Sequence, residues 1–218
     1  MSQIQIRGET FELLPERALH WPKRHLLVIA DLHLGKAETF QSYGLPLPTG
    51  ANAEDLDRIT ALIEKHEARH VLFLGDLVHA VTGVTGEVVD LFAKWIAGFR
   101  GEITVALGNH DIGLSKKWPE AWRRAELVYS WSADGIVFQH EPPTAEELAG
   151  GEFFWIGHIH PMVVLRGGPD RMRLPCFAIT GEQGWLPAFS SLAGGHNLKF
   201  ARGQRLYAIG GEKIVEIR

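Results

Sequence analysis

The sequence lacks a second cysteine: Cys176 is the one cysteine among 218 residues. An intrachain disulfide therefore cannot form, and a secretory compartment, where many small domains depend on disulfides, gains no support. Cys176 lies within the apolar run from Leu174 to Ile179. We therefore predict a buried and unreactive thiol.

Long apolar runs are missing as well. The stretch from Met1 to Arg7 has no apolar core of signal-peptide length. No later run approaches the roughly 20 apolar residues of a membrane-spanning helix. We expect a soluble, cytoplasmic protein without a membrane partner.

An excess of positive charge is the third absence. The chain has 22 Lys and Arg residues against 26 Asp and Glu residues, a formal net charge of -4. A dedicated nucleic-acid-binding protein commonly shows a basic excess, although a local basic patch can serve the same purpose. Charge thus neither supports nor excludes a nucleic-acid substrate.

The apolar pattern predicts alternating strands and helices in the first half. Buried strands are expected at 26–30, 71–74 and 103–107, with helices from Thr49 to about Glu67 and from Val88 to Ile96. Thr49 or Asn52 would cap the first helix. This order favours a mainly parallel sheet whose strand ends carry the chemistry.

The second half, from about residue 127, has closely spaced strand-like runs. We therefore expect two sheets packed face to face with helices outside. Hydrophobic residues make up 45% of the chain, enough for a substantial core. No repeat, low-complexity tract or linker divides the sequence, which predicts one domain over residues 1–218.

Five short segments carry metal-ligand residue types beside these apolar runs. They are Asp31-x-His33, Gly75-Asp76, Gly108-Asn109-His110-Asp111, His140 and Gly157-His158-x-His160. Residues two apart in an extended segment project from the same face, so each spaced pair can reach one ion. The segments should gather at the edge of one sheet.

Each segment alone has an ordinary explanation. A polar residue that follows a strand is more often a cap or a surface residue, and a lone Gly-Asp is more often a turn or helix cap. The ordered set is far more specific than its parts. In it, the carboxylate of Asp76 can bridge two cations, and Asn109 offers a carbonyl oxygen compatible with manganese, iron or zinc.

These ordered motifs resemble those of the calcineurin-like metallophosphoesterase superfamily, over residues 31 to 160. The resemblance implies an α/β fold, a four-layer α-β-β-α sandwich of two packed mixed sheets with flanking helices. It also implies two divalent metal ions. The first would be held by Asp31, His33, Asp76 and His160, and the second by Asp76, Asn109, His140 and His158.

The same resemblance implies catalytic roles for His110 and Asp111. His110 would face the phosphate, where an imidazole with a pKa near 6.5 can stabilise charge or protonate the leaving oxygen. Asp111 would orient His110, and a turn-capping aspartate is the alternative. Two cations about 3.5 to 4 Å apart would bind the phosphate and generate a metal-bound hydroxide for in-line attack.

Further segments resemble the bacterial ligase-associated DNA damage response endonuclease family. They are Asp31-Leu32-His33-Leu34-Gly35-Lys36, Gly44-Leu45-Pro46-Leu47-Pro48, Gly75-Asp76-Leu77-Val78-His79, Gly157-His158-Ile159-His160-Pro161, Leu174-Pro175-Cys176-Phe177 and Leu186-Pro187-Ala188-Phe189. That resemblance implies a manganese-dependent phosphodiesterase that cleaves DNA in repair, with a DNA ligase, a helicase and an exonuclease as partners. Iron and zinc remain alternative metals, and single-stranded DNA is a candidate substrate.

Substrate contacts are less well specified. Lys36, His79 and Asn109 are candidates, with solvated loop residues as the alternative for the first two. Arg166, Arg171 and Arg173 could hold a DNA backbone, although most such clusters are solvated. Trp118, Trp122 and Trp131 could stack on bases, although most tryptophans belong to the core.

Two other functions stay open: a small-molecule phosphodiesterase or phosphatase, for example for cyclic nucleotides, and a metal-free scaffold.

Overall fold

Two mixed sheets form the centre of the part of the chain that this computed structural model describes, residues 2–48, 50–167, 170–199 and 203–217. The first sheet has the order β1-β2-β3-β4-β5-β6-β7. Its strands are β1 (Ser2–Ile6), β2 (Glu9–Leu13), β3 (Leu19–Trp21), β4 (Leu26–Ala30), β5 (His70–Leu74), β6 (Glu102–Ala106) and β7 (Glu126–Val128). Strands β1 to β4 pair antiparallel, and β4 to β7 pair parallel.

The second sheet has the order β14-β11-β12-β13-β10-β9-β8, and β15 and β16 extend it from β12. Its strands are β8 (Ser130–Ala133), β9 (Ile136–Gln139), β10 (Phe153–Ile156), β11 (Pro161–Gly167), β12 (Asp170–Thr180), β13 (Gln183–Trp185), β14 (His196–Asn197), β15 (Arg205–Gly210) and β16 (Lys213–Ile217). Strands β9, β10 and β13 are parallel. Most of the remaining pairs are antiparallel.

The helices in the described residues are α1 (Lys36–Ser42), α2 (Ala51–His66), α3 (Gly86–Gly98), α4 (Ile112–Ser115) and α5 (Ala145–Ala149). The two predicted helices are confirmed as α2 and α3. The predicted cap at Asn52 is wrong, because Asn52 lies inside the first turn of α2 and binds the Gly35 N–H and the Glu38 carboxylate instead. Thr49, the other candidate cap, lies outside the described residues.

Strands β4, β5 and β6 are buried on both faces, which explains their continuous apolar sequences. Alternate side chains point to opposite faces. One set packs under α2 and α3: Leu27, Ile29, Val71, Phe73, Ile103 and Val105 from the strands, against Leu56, Ile59, Leu62, Val88, Phe92 and Ile96 from the helices. Each fully buried side chain of this size contributes about 1.5 to 3 kcal/mol of hydrophobic stabilisation.

The other set of side chains fills the space between the sheets. It comprises Leu26, Val28, Ala30, Leu72, Leu74 and Ala106 from the first sheet, against Ile136, Phe138, Phe153, Trp155, Phe177 and Ile179 from the second. On the outer face of the second sheet, Leu148 of α5 packs against Val137, Phe154 and Ile156. The expected α/β fold of two packed mixed sheets with flanking helices is confirmed.

The thiol of Cys176 lies on that outer face, and the structure confirms that it is buried. Burial raises its pKa to about 12. An unreactive thiol is the consequence. In the described residues, no helix has both the length and the apolar character needed to cross a membrane.

Candidate metal centre

All five ligand segments follow the carboxyl ends of parallel strands. Asp31 and His33 come after β4, Asp76 after β5 and Asn109 after β6 in the first sheet. In the second sheet, His140 directly follows β9, and His158 and His160 come after β10. The two sheets place these ends together, so side chains up to 129 positions apart in the chain meet at one edge of the sandwich.

One group of donor atoms surrounds the carboxylate of Asp31. The Nε2 atom of His160 lies 3.1 Å from Asp31 Oδ1 and 3.3 Å from Nε2 of His33. His33 Nε2 in turn lies 4.0 Å from Oδ2 of Asp76. These are the four residues that the motifs assign to the first metal.

A second group of donor atoms lies near Oδ1 of Asp76. The Nε2 atom of His140 lies 3.4 Å from Asp76 Oδ1 and 3.2 Å from Oδ1 of Asn109. His158 Nδ1 lies 3.1 Å from Asn109 Oδ1 and 3.2 Å from His140 Nε2. Asp76 thus lies between the two groups and directs one oxygen to each.

All but one of these spacings fit ligands that share a transition-metal ion, and the exception is the 4.0 Å between His33 and Asp76. Ligand atoms about 2.1 Å from a common ion lie roughly 3.0 to 3.4 Å from one another in octahedral or tetrahedral geometry. The second group spans 3.1 to 3.4 Å. In the first group, Asp31 Oδ2 is buried without any hydrogen-bond partner. A buried carboxylate oxygen without a partner costs free energy, which coordination to a cation would offset.

Backbone carbonyls select the ring nitrogen that two of the ligand histidines present. His140 donates its Nδ1–H to the carbonyl of Leu74 at 3.2 Å, and His160 donates its Nδ1–H to the carbonyl of Gly194 at 3.1 Å. In their neutral, metal-binding form these two imidazoles would direct their Nε2 lone pairs into the centre. Carbonyl groups commonly orient metal-ligating histidines in this way.

The pKa values of Asp76 and His140 indicate that the second ligand group favours positive charge. Burial alone would raise the pKa of Asp76, but its hydrogen bond to His140 and the charge of that imidazole lower it to about 2. Burial alone would lower the pKa of His140, but its hydrogen bond to Asp76 and the charge of Asp31 raise it to about 9. Two buried carboxylates thus hold a proton where the second metal would bind, and a metal would compete with that proton.

The backbone of the ligand segments is strained. Five of the predicted ligands have positive φ angles: Asp31 at 55°, His33 at 51°, Asp76 at 47°, His158 at 70° and His160 at 46°. The left-handed region costs a non-glycine residue about 1 to 2 kcal/mol. Such strain persists where the surroundings enforce it, typically at functional sites. Here it turns successive side chains toward the same point.

This strain predicts a difference between two variants at His158. Both His158→Gly and His158→Ala remove the imidazole, but only alanine keeps a Cβ at a φ of 70°. In the presence of a chelator, the glycine variant should therefore have a free energy of unfolding about 1 kcal/mol higher than the alanine variant. Denaturant unfolding followed by fluorescence measures the difference.

His196 provides the matched control, because it is exposed and lies in β14 without a positive φ. At that position alanine should be the more stable of the two replacements. An alanine variant at 158 as stable as the glycine variant would show that the backbone relaxes once the imidazole is gone.

Two glycines in the motifs are required by close packing. At Gly75, with a φ of 73°, a Cβ atom would overlap the imidazole of His140. At Gly108, a Cβ atom would overlap the backbone nitrogen and the carboxylate of Asp76. His140 and Asp76 can therefore occupy these positions only because residues 75 and 108 have no side chain.

His110 lies beside the two ligand groups. Its Nε2 atom is 3.8 Å from Asp76 Oδ2, and its side chain is 37% exposed. Its Nδ1–H donates to the carbonyl of His79 at 2.5 Å. The exposed face of the ring is therefore held in a fixed orientation at the opening of the centre.

The role predicted for Asp111 needs correction. Its carboxylate is fully buried and accepts the backbone N–H groups of Leu77, Val78 and Gly108, at 2.9 to 3.2 Å. It does not contact the imidazole of His110, which the carbonyl of His79 orients instead. Burial raises the pKa of Asp111 to about 6. Asp111 thus holds the loop after β5 against the loop after β6, as a turn-capping residue does.

His79 and Lys36, two candidates for substrate contact, both lie at this centre. The imidazole of His79 stacks on that of His110 with centroids 5.3 Å apart, and on the ring of Phe40 at 5.7 Å. Lys36 is half-buried, and burial together with the charge of Lys36 lowers the pKa values of His33 and His79. Sequence reasoning missed Phe40 and the helix α1 that carries it, because seven residues with two buried side chains give no clear helical pattern.

The predicted basic cluster is only partly available to a ligand. Arg173 donates to the carbonyl of Gly195 and to Asn197 Oδ1, so its guanidinium braces the loop whose Gly194 carbonyl orients His160. The interpretation of Arg173 as a free DNA contact is therefore wrong. Arg166 and Arg171 face each other across β11 and β12 and are exposed.

The tryptophans considered as stacking platforms are mainly packing residues. Trp122 is fully buried. Trp118 packs on Trp122, and Trp131 packs on Phe138 and His70. The expectation that most tryptophans belong to the core is confirmed for these positions.

Comparison with known proteins gives two consistent findings. A family model described as calcineurin-like phosphoesterase matches residues 24–183, a range that includes all five ligand segments. The crystal structure of the Pseudomonas putida nuclease MPE is similar with a TM-score of 0.82 and 30% sequence identity, over 99% of both chains.

Other similarities are weaker. A protein of unknown function from Aquifex aeolicus, AQ665, has a TM-score of 0.43 and 16% identity over 62% of this chain and 78% of its own. Yfce, a phosphoesterase from E. coli, has a TM-score of 0.43 and 12% identity over 88% of this chain and 97% of its own. No curated protein matches the chain.

Proposed function

Because this chain belongs to the calcineurin-like phosphoesterase family, we propose that it is a dinuclear-metal nuclease that hydrolyses the phosphodiester bonds of DNA. The observation that carries the proposal is the shared ligand: Asp76 directs one oxygen to each of two donor groups. When bound, two divalent ions would bind the phosphate and activate water for attack. Manganese is our preferred metal, with iron and zinc as alternatives for mixed nitrogen and oxygen ligands.

Two residues outside the ligand groups, His110 and Lys36, would contact the phosphate of the substrate. When doubly protonated, His110 keeps its Nδ1–H on the carbonyl of His79 and offers its Nε2–H to the leaving oxygen. Lys36 has no ion-pair or side-chain hydrogen-bond partner among the described residues, and it lies near His33 and His79. A half-buried, unpaired ammonium beside the metal ligands suits a non-bridging phosphate oxygen.

The surface beside the second ligand group supports an unpaired base as part of the substrate. A cavity of about 330 Å³ is lined by Asn109 and His140 together with Ile112 and Tyr129. Tyr129 is 82% exposed and Ile112 is 56% exposed, although both are large and apolar. Base stacking on an aromatic side chain contributes about 1 to 3 kcal/mol per base, and only an unpaired base has a free face to offer.

The charged residues of that cavity also favour a base over a second phosphate. Glu141 and Glu147 also line it. Two carboxylates disfavour a second phosphate in this cavity and can accept hydrogen bonds from the exocyclic amino groups of a base. We therefore propose single-stranded DNA as the substrate, with the base next to the scissile phosphate placed on Tyr129.

The similarity to a nuclease supports this choice over a small-molecule phosphodiesterase that uses the same centre. We extend the proposal to a role in cytoplasmic DNA repair, with a ligase, a helicase and an exonuclease as partners. That extension rests on the resemblance of the segments around the motifs.

The test is a matrix of metals and substrates on the purified protein. Manganese, iron and zinc are each combined with circular single-stranded DNA, duplex DNA, a cyclic nucleotide and a phosphomonoester. We expect manganese-dependent linearisation of the single-stranded circle, with much slower cleavage of the duplex. Efficient turnover of the cyclic nucleotide with DNA left intact would assign the centre to small molecules instead.

Two variants of Tyr129 separate base recognition from chemistry in the same assay. Tyr129→Ala should slow cleavage of single-stranded DNA about tenfold, the value of one stacking contact. Tyr129→Phe should keep the wild-type rate. Neither variant should change hydrolysis of a small phosphodiester without a base, because no hydrogen bond or ring stacking joins Tyr129 to a metal ligand in the described residues. Equal losses on both substrates would show that Tyr129 only supports the fold.

A further inference from the structure

A second cluster of metal-type ligands lies away from the phosphoesterase centre, on the antiparallel side of the first sheet. Glu12 on β2 and His20 on β3 are directly opposed in the strand pair. His66, the last residue of α2, lies over them. One ligand atom from each of the three residues lies within 4.8 Å of the others. None of the three belongs to the ligand groups around Asp76.

The distances bring these atoms toward one point. Oε2 of Glu12 lies 2.8 Å from Nδ1 of His20 and 3.6 Å from Nδ1 of His66. The two imidazole rings are 4.8 Å apart, tilted by 52°. The other oxygen of Glu12, Oε1, accepts a hydrogen bond from Gln3 at 3.1 Å, which orients the carboxylate toward the histidines. The carboxylate is thus held in place by a partner outside the cluster.

The cluster is buried, and its hydrogen bonds are incomplete: Nδ1 of His20 pairs with Oε2 of Glu12, but other ring nitrogens have no partner. The side chains of His20 and His66 are each 6% exposed, and that of Glu12 is 13% exposed. Nε2 of His20 and Nε2 of His66 are buried without a hydrogen-bond partner. His66 has no side-chain hydrogen bond at all among the described residues. Imidazoles buried to this extent normally have partners, and in the described residues the ring of His66 has no hydrogen bond through either nitrogen.

A neighbouring carboxylate, that of Glu16, also has an oxygen without a hydrogen-bond partner. Glu16 binds Lys65, the residue before His66, through Oε1 at 3.0 Å. Its second oxygen, Oε2, is buried without a partner. Glu16 and His66 line a common cavity with Lys65. A carboxylate with an unpartnered oxygen therefore lines the cavity beside His66.

We propose that Glu12, His20 and His66 form a zinc site that is separate from the phosphoesterase centre. Two imidazoles and one carboxylate are a ligand set that zinc accepts in proteins, with water or Glu16 in the remaining position. Zinc there would link the C-terminal end of α2 to β2 and β3, and would give Nδ1 of His66 a ligand bond in place of its 3.6 Å contact with Glu12. The site is structural, so it is independent of the proposed nuclease function.

The experiment compares the zinc content of the full-length wild type with that of His66→Gln and Glu12→Gln after equilibrium dialysis. The wild type should bind one more zinc ion per chain than either variant. All three proteins should cleave single-stranded DNA at equal rates with manganese. His25→Gln is the matched control, since His25 bonds to the Glu67 carbonyl outside the cluster, and it should keep the wild-type zinc content.

A second measurement covers variants that fail to fold. Anomalous scattering at the zinc edge from wild-type crystals should show a peak within bonding distance of Glu12, His20 and His66. Equal zinc content in wild type and folded variants, or no anomalous peak at this position, would overturn the proposal. A wild type that binds the additional zinc but leaves DNA intact would reject the nuclease function and keep the zinc site.

Discussion

Replacing Asp76 with alanine is expected to remove metal from both ligand groups and to lower the rate of phosphodiester hydrolysis about a thousandfold or more. Asp76 is the one carboxylate that faces both groups, through Oδ2 toward His33 and through Oδ1 toward His140. Its loss removes a ligand from each ion and the charge that lessens their mutual repulsion. Metal-ion catalysis contributes several kcal/mol to such reactions, and each 1.36 kcal/mol is tenfold in rate.

Metal content after dialysis and initial rates at saturating manganese measure the two effects separately. Asp90→Ala is the control, because Asp90 is exposed on α3 and has no side-chain hydrogen bond or ion pair in the described residues. That variant should bind metal and turn over substrate as the wild type does. Two bound metals and a normal rate in Asp76→Ala would refute the assignment.

Asp76→Asn separates the charge of the side chain from its hydrogen bond. Oδ1 of Asp76 accepts the backbone N–H of His110 at 3.0 Å, and an asparagine can keep that bond. If the loss in Asp76→Ala arose from a displaced loop, asparagine would restore much of the activity. We expect it to restore little, because a neutral amide binds two cations poorly compared with a carboxylate.

Apolar patterning was sufficient to predict the part of the fold that positions this site. Strands β4 and β5 are wholly buried, β6 is buried after Glu102, and α2 and α3 have clear amphipathic spacing, so each could be recognised from local sequence. The motifs could be placed at strand ends for the same reason. The shared orientation of Asp76 toward two ligand groups then follows from the meeting of two sheets.

Roles that depend on non-local contacts could not be predicted from the sequence. Asp111 adjoins His110 in sequence, yet its carboxylate binds the N–H groups of Leu77 and Val78, 34 and 33 residues away. Arg173 lies in β12, yet its guanidinium binds the carbonyl of Gly195, 22 residues away in the loop before β14. Neither partner is marked by spacing or residue type.

The cluster of Glu12, His20 and His66 illustrates the same limit. Its members are separated by 8 and 46 residues, and no motif links them. Glu12 and His20 become neighbours through the register of β2 and β3, and His66 through the length of α2. Local sequence predicts elements, whereas the register and the crossing of those elements decide which buried polar groups meet.

Replacing His110 with alanine is expected to lower turnover of DNA by about 10² to 10⁴, the range for a general acid, and to leave metal content unchanged. His110 supplies its side chain to neither ligand group, and its backbone N–H, which binds Asp76, remains in alanine. The bridging carboxylate should therefore keep its place. His25→Ala is the control for removal of an imidazole outside the site, and it should have the wild-type rate.

The choice of substrate distinguishes proton donation from electrostatic stabilisation. A p-nitrophenyl phosphodiester has a leaving group that departs without protonation, so a general acid contributes little to its hydrolysis, whereas the alkoxide released from DNA needs a proton. We expect the loss in His110→Ala to be much smaller on the nitrophenyl substrate. Equal losses on both would indicate that His110 stabilises phosphate charge.

Metal content tests a third role for His110, that of a metal ligand. His33, His79 and His110 also place one nitrogen each within 4.8 Å of the others, a spacing at which the three rings could share an ion. Loss of a metal in parallel with the rate in His110→Ala would show that His110 is a ligand. Retention of both metals, with a substrate-dependent loss of rate, would place His110 at the leaving oxygen, held there by the carbonyl of His79.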